Sequence, residues 1–390
     1  MKLNPYLNIK ELDDNNFIIH NTVTNKYIKM GREELFLLKS YDCSNSDSGN
    51  LNDEWDPDVK EMAKQKFLEL ELLVNDDYQK PASSKIKKFS IRQLKDLNLS
   101  KIKLLEFDPT KLLDKIYPVI NLILSPVAAV VYIALIVVAG VLVSKNSTEI
   151  SAILTNFTEN IKISEMIILY VLSLLALIIH EAAHAITCKK YHGEVKNVGI
   201  MLFYLQFSMF TDVSGIYMMN GKLKKILILG AGVISQWVLS SIAVIAFVIG
   251  LKTGYSMDFL IYFAIVNTAL SIFNLIPFVK FDGYWILTVI LGTYNLREYS
   301  FEYLVSKVLN KDVSNITKVK RIIYTFYGLL SIIFTILFWF IILNNLTTIL
   351  HNWFNKECYY IVLVMMIMFL GMHFAKSIKN VYRGCKARSV

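Results

Sequence analysis

The sequence predicts a polytopic α-helical membrane protein of about six transmembrane helices, with a small N-terminal α/β winged-helix-like cytoplasmic domain. Three observations lead there. The 390-residue chain is 54% hydrophobic with only 19% charged residues, where a soluble chain carries about 25%. Its apolar residues gather in runs nearly free of charge, long enough at about 1.5 Å per residue to cross a hydrocarbon layer about 30 Å thick. Residues 1–78, by contrast, mix β-rich and helical patterns with polar loops. A soluble enzyme and a disordered chain are both excluded.

Residues 1–78 form the expected cytoplasmic domain. Residues 17–30 are two β-rich runs joined by an Asn/Thr turn, which predicts a hairpin. GREELFLLKSY (31–41) has helical spacing. After a loop of Ser, Asn, Asp and Gly, Pro57 opens a second helix with apolar residues three and four apart. Residues 79–118 are a basic linker (Lys80, Lys85, Lys87, Lys88, Arg92) and then, from Asp108-Pro109, an amphipathic helix suited to the membrane interface.

Residues 119–390 form the transmembrane domain. Crossings are expected at about 119–143, 166–186, 226–251, 258–281, 322–345 and 358–375. Residues 195–219 are apolar but rich in β-branched and aromatic side chains, and 285–291 are too few to cross. Both suit re-entrant or interfacial segments, which need protein or a wet cavity around their backbone.

The formal charge of +9 is placed as membrane topology places it. Lys189, Lys190, Lys196, Lys222, Lys224 and Lys225 share one connection, and Arg297, Lys307, Lys311, Lys318, Lys320 and Arg321 another. The opposite loops hold only Lys145, Lys162, Lys252 and Lys356. Both termini are therefore expected in the cytoplasm of a multi-pass cell-membrane protein, and no nucleic-acid partner is expected. The polar start lacks an apolar core, so no cleavable signal peptide is expected. Cys43, Cys188, Cys358 and Cys385 stand far apart and form neither a disulfide framework nor a cysteine zinc site.

His180-Glu181-Ala182-Ala183-His184 matches H-E-x-x-H at the end of an apolar helix. Histidines four apart share one face, so both imidazoles reach one metal ion, and the glutamate can act as general base. The bland alternative, polar contacts between helices, is weak where ionisable groups are costly. A catalytic zinc site takes a third protein ligand. Asp282, in Asn274-Leu-Ile-Pro277-Phe-Val-Lys280-Phe-Asp282-Gly283, is the candidate. Fourteen residues (166–179) precede His180 in its crossing, about 21 Å. Two reversals later Asp282 returns to the same cytoplasmic side. Pro277 breaks regular helix there, and Gly283 permits a sharp bend. A solvated loop carboxylate is the alternative for Asp282. Lys280 needs only to reach the interface.

HEAAH followed by N-x-x-P-x-x-x-x-D-G resembles the site-2 protease family of membrane zinc metalloproteases (M50), over roughly residues 108–295. The resemblance implies zinc held by His180, His184 and Asp282, with Glu181 as catalytic base. FDPTKLLDKIYP, GEVKNVGIML, FTDVSGIYM and the run from Lys280 to Tyr284 are similar to the branch of peptide zinc metalloproteases in peptide-maturation systems. Where the family has A-G-P-x-x-N, this chain reads Ala231-Gly232-Val233-Ile234-Ser235-Gln236, and Val279 stands where many members have a second proline. No PDZ domain is expected. The N-terminal domain resembles PqqD-like leader-binding modules, which implies a peptide adding as a strand to the hairpin edge; a generic cytoplasmic domain fits the pattern equally.

Asn274 and Asp212 are candidate substrate-binding residues. Interhelical hydrogen bonding is the alternative for Asn274, and turn formation before Ser214-Gly215 for Asp212. His192 lacks the spacing of a third metzincin ligand and reads as a loop residue. Asn267, Gln236, Trp237 and His373 read as packing or interhelical bonds. The function expected is a zinc-dependent endopeptidase, with its active site near the cytoplasmic side of the bilayer. It would cleave a small membrane-associated or leader-bearing peptide, as in bacteriocin or signalling-peptide maturation. Cleavage of a transmembrane anti-sigma factor and a non-catalytic peptide-export or immunity role are the alternatives.

Overall fold

Alternation of apolar residues after Asn16 does produce strands. The computed structural model describes residues 2–13, 16–24, 26–41, 56–74, 101–160, 163–203, 206–255, 257–293, 295–309, 316–353 and 360. By internal contacts the chain divides into two units, Met1–Val131 with Leu177–Gly221, and Tyr132–Ala176 with Lys222–Val390.

In the first unit, β1 (Lys2–Leu3) precedes β2 (Leu7–Asp13), β3 (Asn16–Asn21) and β4 (Lys26–Gly31), and the last three form an antiparallel sheet in that order. Phe17 faces Met30 and Ile19 faces Ile28, which puts all four on one side. The expected helices follow as α1 (Arg32–Ser40) and α2 (Pro57–Glu69). The Glu34 carboxylate accepts the Gly31 N–H at 3.0 Å, closing the first turn of α1. Pro57 opens α2, where its missing N–H costs nothing. β5 (Leu73–Val74) pairs antiparallel with β1. The core collects Ile19, Leu38 and Leu72, all fully buried. Glu71, after α2, takes a left-handed φ of 54°. The Asn4 and Asn21 side-chain amides both donate to its carbonyl, at 2.8 and 3.1 Å.

The basic linker ends differently from expectation. Residues 75–100 lie outside the described residues, but β6 (Lys101–Phe107) is a strand. Lys101-Ile-Lys103-Leu alternates polar and apolar with period two, a signal hidden by its basic composition. The single amphipathic helix expected from Asp108-Pro109 is two, α3 (Thr110–Lys115) and α4 (Tyr117–Ile123). Pro118 donates no hydrogen bond, and its ring excludes a carbonyl one turn earlier. α5 (Pro126–Lys145), α6 (Ser147–Asn160) and α7 (Ile163–Lys190) follow, and the division between the units falls inside α5 and α7. Residues 195–219 become β7 (Val198–Phe203), β8 (Gln206–Thr211) and a 3-10 turn (Ser214–Met218). They join β6 in an antiparallel sheet of order β6-β7-β8. Gly199 lies so close to β6 that a Cβ there would sit 2.0 Å from the Leu105 carbonyl oxygen.

The second unit is helical: α8 (Lys222–Thr253), α9 (Asp258–Asn274), α10 (Asp282–Leu291), α11 (Leu296–Val308) and α12 (Lys318–Trp353). Among the described residues four helices are long and apolar enough to cross a membrane: Pro126–Lys145, Ile163–Lys190, Lys222–Thr253 and Lys318–Leu337. That is fewer than expected, for two reasons. The helix expected over 258–281 stops at Asn274, because Pro277 cannot continue it; at 17 residues it spans about 25 Å. The crossing expected at 358–375 lies outside the described residues apart from Tyr360. Only 6% of the α5 window is buried against protein, whereas 50% of the α8 window is.

α8 and α9 are joined as expected by polar side chains. Asn267 Nδ2 donates to the Gln236 carbonyl (2.7 Å) and Ser240 Oγ (2.9 Å), Gln236 Nε2 donates to Asn267 Oδ1 (3.1 Å), and Trp237 Nε1 donates to Ser271 Oγ (2.8 Å). A second cluster gathers Tyr284, Leu296, Tyr303, Tyr324 and Tyr327 from α10, α11 and α12.

Replacing Gly199 with alanine is expected to separate β6 from β7, since the obstructing atom is backbone and cannot rotate away. The cost is about 1–3 kcal/mol. Hydrogen exchange across residues 101–107 should accelerate, while exchange in α8 stays unchanged.

Candidate metal centre

The apolar stretch before His180 holds α7 in helical form, and a helix sets residues four apart one above the other. His180 and His184 accordingly face the same way and are both buried, 3% and 5% exposed. Their Nε2 atoms are 3.1 Å apart, with the rings at 80°. Two nitrogens on one tetrahedral zinc at about 2.0–2.1 Å stand about 3.3 Å apart, so the pair suits a shared cation. Glu181 is half-buried between them. Its carbonyl accepts the Thr211 hydroxyl at 2.9 Å, which ties the end of β8 to this turn of α7. α7 ends at Lys190, and His192 then turns the chain with φ 60°, as a loop residue.

Asp282 is the first residue of α10. One ligand atom from each of His180, His184 and Asp282 lies within 4.8 Å of the others, and among the described residues this is the one group of three or more that suits a metal ion. Two imidazole nitrogens and a carboxylate oxygen are a donor set that catalytic zinc accepts, with a fourth position left for water. His192 is not in the group.

What places Asp282 is the non-helical link 275–281. The Tyr327 hydroxyl donates to the Pro277 carbonyl at 3.0 Å, and Ser331 Oγ to the Phe278 carbonyl at 3.3 Å. The Phe278 ring lies 5.9 Å from that of Tyr327 and 5.6 Å from that of Phe334, centre to centre. Gly283 is buried so tightly that a Cβ would come 2.0 Å from the Leu275 carbonyl oxygen. Lys280 is engaged too: its ammonium pairs with Glu298 in the first turn of α11.

Of the two candidate substrate residues, Asp212 forms a turn. Its Oδ1 accepts the Ser214 N–H at 3.0 Å, and its backbone bonds to Lys196 and Asn197. Asn274 is half-buried at the last position of α9.

A cluster with no signal in the sequence lies in the first unit. Lys196 Nζ donates to His20 Nε2 at 2.6 Å, across 176 residues of chain, with Glu194 Oε2 at 3.9 Å. His20 stacks on Tyr27 at 4.2 Å, and Lys10 Nζ donates to the Met218 carbonyl at 2.6 Å. Burial holds the Lys196 ammonium below the usual lysine range, against the opposing pull of Glu194 and Asp212. Burial, and then the charge of Glu194, raises the Tyr27 phenol. The N-terminal sheet is thereby fastened to the segment that carries β7 and β8.

No family model, curated protein or solved structure matches this chain.

Two substitutions test this geometry. Gly283→Ala should push the start of α10 off the Leu275 carbonyl; with His180, His184 and Asp282 as candidate metal ligands, affinity for added Zn2+ should fall at least tenfold in a chelator-competition titration. His20→Ala leaves the half-buried Lys196 ammonium without its imidazole acceptor, at a cost of about 1–3 kcal/mol. Proteolysis within the N-terminal sheet should quicken accordingly.

Proposed function

We propose that this chain is a membrane-embedded, zinc-dependent endopeptidase. The observation that carries the proposal is that one ligand atom each of His180, His184 and Asp282 lies within 4.8 Å of the others, with Glu181 in the same turn of helix as the histidines. His180, His184 and Asp282 would hold the ion. Zinc bound there would polarise a scissile carbonyl and lower the pKa of water. Glu181 takes the proton from the attacking water and passes it to the departing amine.

Four helices of membrane-crossing length support the cell-membrane reading. An apolar helix as little covered by protein as α5 calls for lipid around it. The flanking lysines and arginines support a topology with both termini in the cytoplasm and the active site near that side. Water reaches such a centre along a polar path, and a helical substrate must unwind before its carbonyls are open to attack.

The substrate class follows from the resemblance of HEAAH, the Asp282 motif and the flanking segments to peptide zinc metalloproteases: a small membrane-associated or leader-bearing peptide. The N-terminal domain is the leader-binding element in this reading, its sheet offering an edge to an added strand.

Purified protein incubated in detergent with candidate precursor peptides should yield defined fragments by mass spectrometry, and a chelator should stop the cleavage. Glu181→Gln should keep one zinc per chain and lose about 100-fold or more in rate, while Asp282→Ala should lose the zinc itself. Unchanged processing by Glu181→Gln would overturn the proposal in favour of a non-catalytic export or immunity role.

A further inference from the structure

The two faces of the N-terminal sheet meet different surroundings. Phe17, Ile19, Ile28 and Met30 belong to the core shared with α1 and α2. On the opposite face His20 lies between Asn8 of β2 and Tyr27 of β4, and it is only 2% exposed. Tyr27 stacks on it, and Lys196, from the segment between α7 and β7, brings Nζ to 2.6 Å from its Nε2. An ammonium gives protons and has no lone pair, so the imidazole nitrogen is the acceptor and carries no proton. Two nitrogens this close have room for one proton between them. A second, placed on His20, would set two donors and two positive charges head to head. The groups around the pair do not offset that charge. Lys10 and Lys29 flank Ile18 on the same face, and the Lys10 ammonium is held by the Met218 carbonyl. Against these two and Lys196 stand Glu194, with Oε2 3.9 Å from Lys196 Nζ, and Asp212, which also acts on that ammonium. The Tyr217 phenol and the Cys188 thiol adjoin Tyr27 from the 3-10 turn and the end of α7.

Lys196 continues the connection through its backbone. Its N–H donates to the Asp212 carbonyl at 3.3 Å, the Asp212 N–H donates to the Asn197 carbonyl at 2.8 Å, and the neighbouring Thr211 gives its hydroxyl to the Glu181 carbonyl at 2.9 Å. All of these residues lie within the first unit. We propose that His20 and Lys196 form a proton-operated clasp: closed with one shared proton, opened by a second, it lets acid release the N-terminal sheet from the segment entering β7 and so loosen the turn of α7 that carries Glu181. The effect on Glu181 rests on its reading as catalytic base, whereas the clasp itself does not. The released form binds one proton more than the fastened form, so falling pH favours release and rising pH favours fastening. Release belongs below about pH 6.5, the ordinary imidazole midpoint.

The test is hydrogen exchange by mass spectrometry on the full chain in detergent, at about pH 7.5 and about pH 5.5, on either side of the imidazole midpoint. Rates are corrected for the chemical dependence of exchange on pH. In wild type, protection across β3, β4 and residues 212–219 should fall at least tenfold in acid, while α8 stays unchanged. His20→Gln keeps an amide oxygen that accepts from Lys196 and does not titrate. It should match wild type near neutral pH and change less than about threefold in acid. Lys196→Met should show the low protection at both pH values, which gives a second route if the glutamine variant misfolds; thermal unfolding of each protein reports its fold. Wild-type protection that is equal at the two pH values, a His20→Gln protein that responds to acid as wild type does, or a Lys196→Met protein as protected as wild type near neutral pH overturns the inference. With a peptide that wild type cleaves, the acid loss of rate should begin at lower pH in His20→Gln; an identical acid loss overturns the link to Glu181. A wild type that cleaves no peptide overturns the peptidase reading and leaves the clasp standing on its exchange data.

Discussion

The bond from the Tyr327 hydroxyl to the Pro277 carbonyl stands for the constraint on which the start of α10, and with it the candidate ligand Asp282, depends. A chain that leaves helical geometry among apolar helices strips its carbonyls of their usual donors, and an unsatisfied carbonyl away from water costs several kcal/mol. Pro277 forces that departure, so donors must come from another helix. Tyr327 and Ser331 of α12 supply them, and the Phe278 ring fixes the approach among Tyr327 and Phe334. The link is held in this way just before α10 begins at Asp282.

The same rule governs the contact between α8 and α9. Asn267 uses both its donor and its acceptor capacity on α8, and the Trp237 indole finds Ser271. A network satisfied in this way fixes register between two otherwise featureless apolar surfaces. It also accounts for polar residues in a helix half covered by protein, with no catalytic duty needed.

In the first unit, β6 arrives from the linker to pair with β7, the close approach at Gly199 allows it, and Thr211 at the end of β8 bonds the backbone of Glu181. The N-terminal sheet meets the same segment through Lys196 and His20 and through Lys10 and Met218. A displacement of the N-terminal sheet would therefore pull on elements bonded directly to the turn carrying the proposed general base.

The sequence by itself determined whatever is local. The alignment of His180, Glu181 and His184 follows from a four-residue spacing on one helix. The hairpin, α1 and α2 follow from periodicity and from Pro57, and the break at 277 from proline's missing donor. Asp282 as a candidate third ligand was legible because its motif and the reversal count both pointed to it. Tertiary structure decided the rest. The strand character of β6 lay under its basic composition, and the short α9 replaced an expected crossing. The partners Lys280 with Glu298, Tyr327 with Pro277, and Lys196 with His20 join residues between which no periodicity runs. Such pairs form only when packing brings distant segments together, and packing energy depends on the shape of both surfaces, which no single stretch of sequence contains.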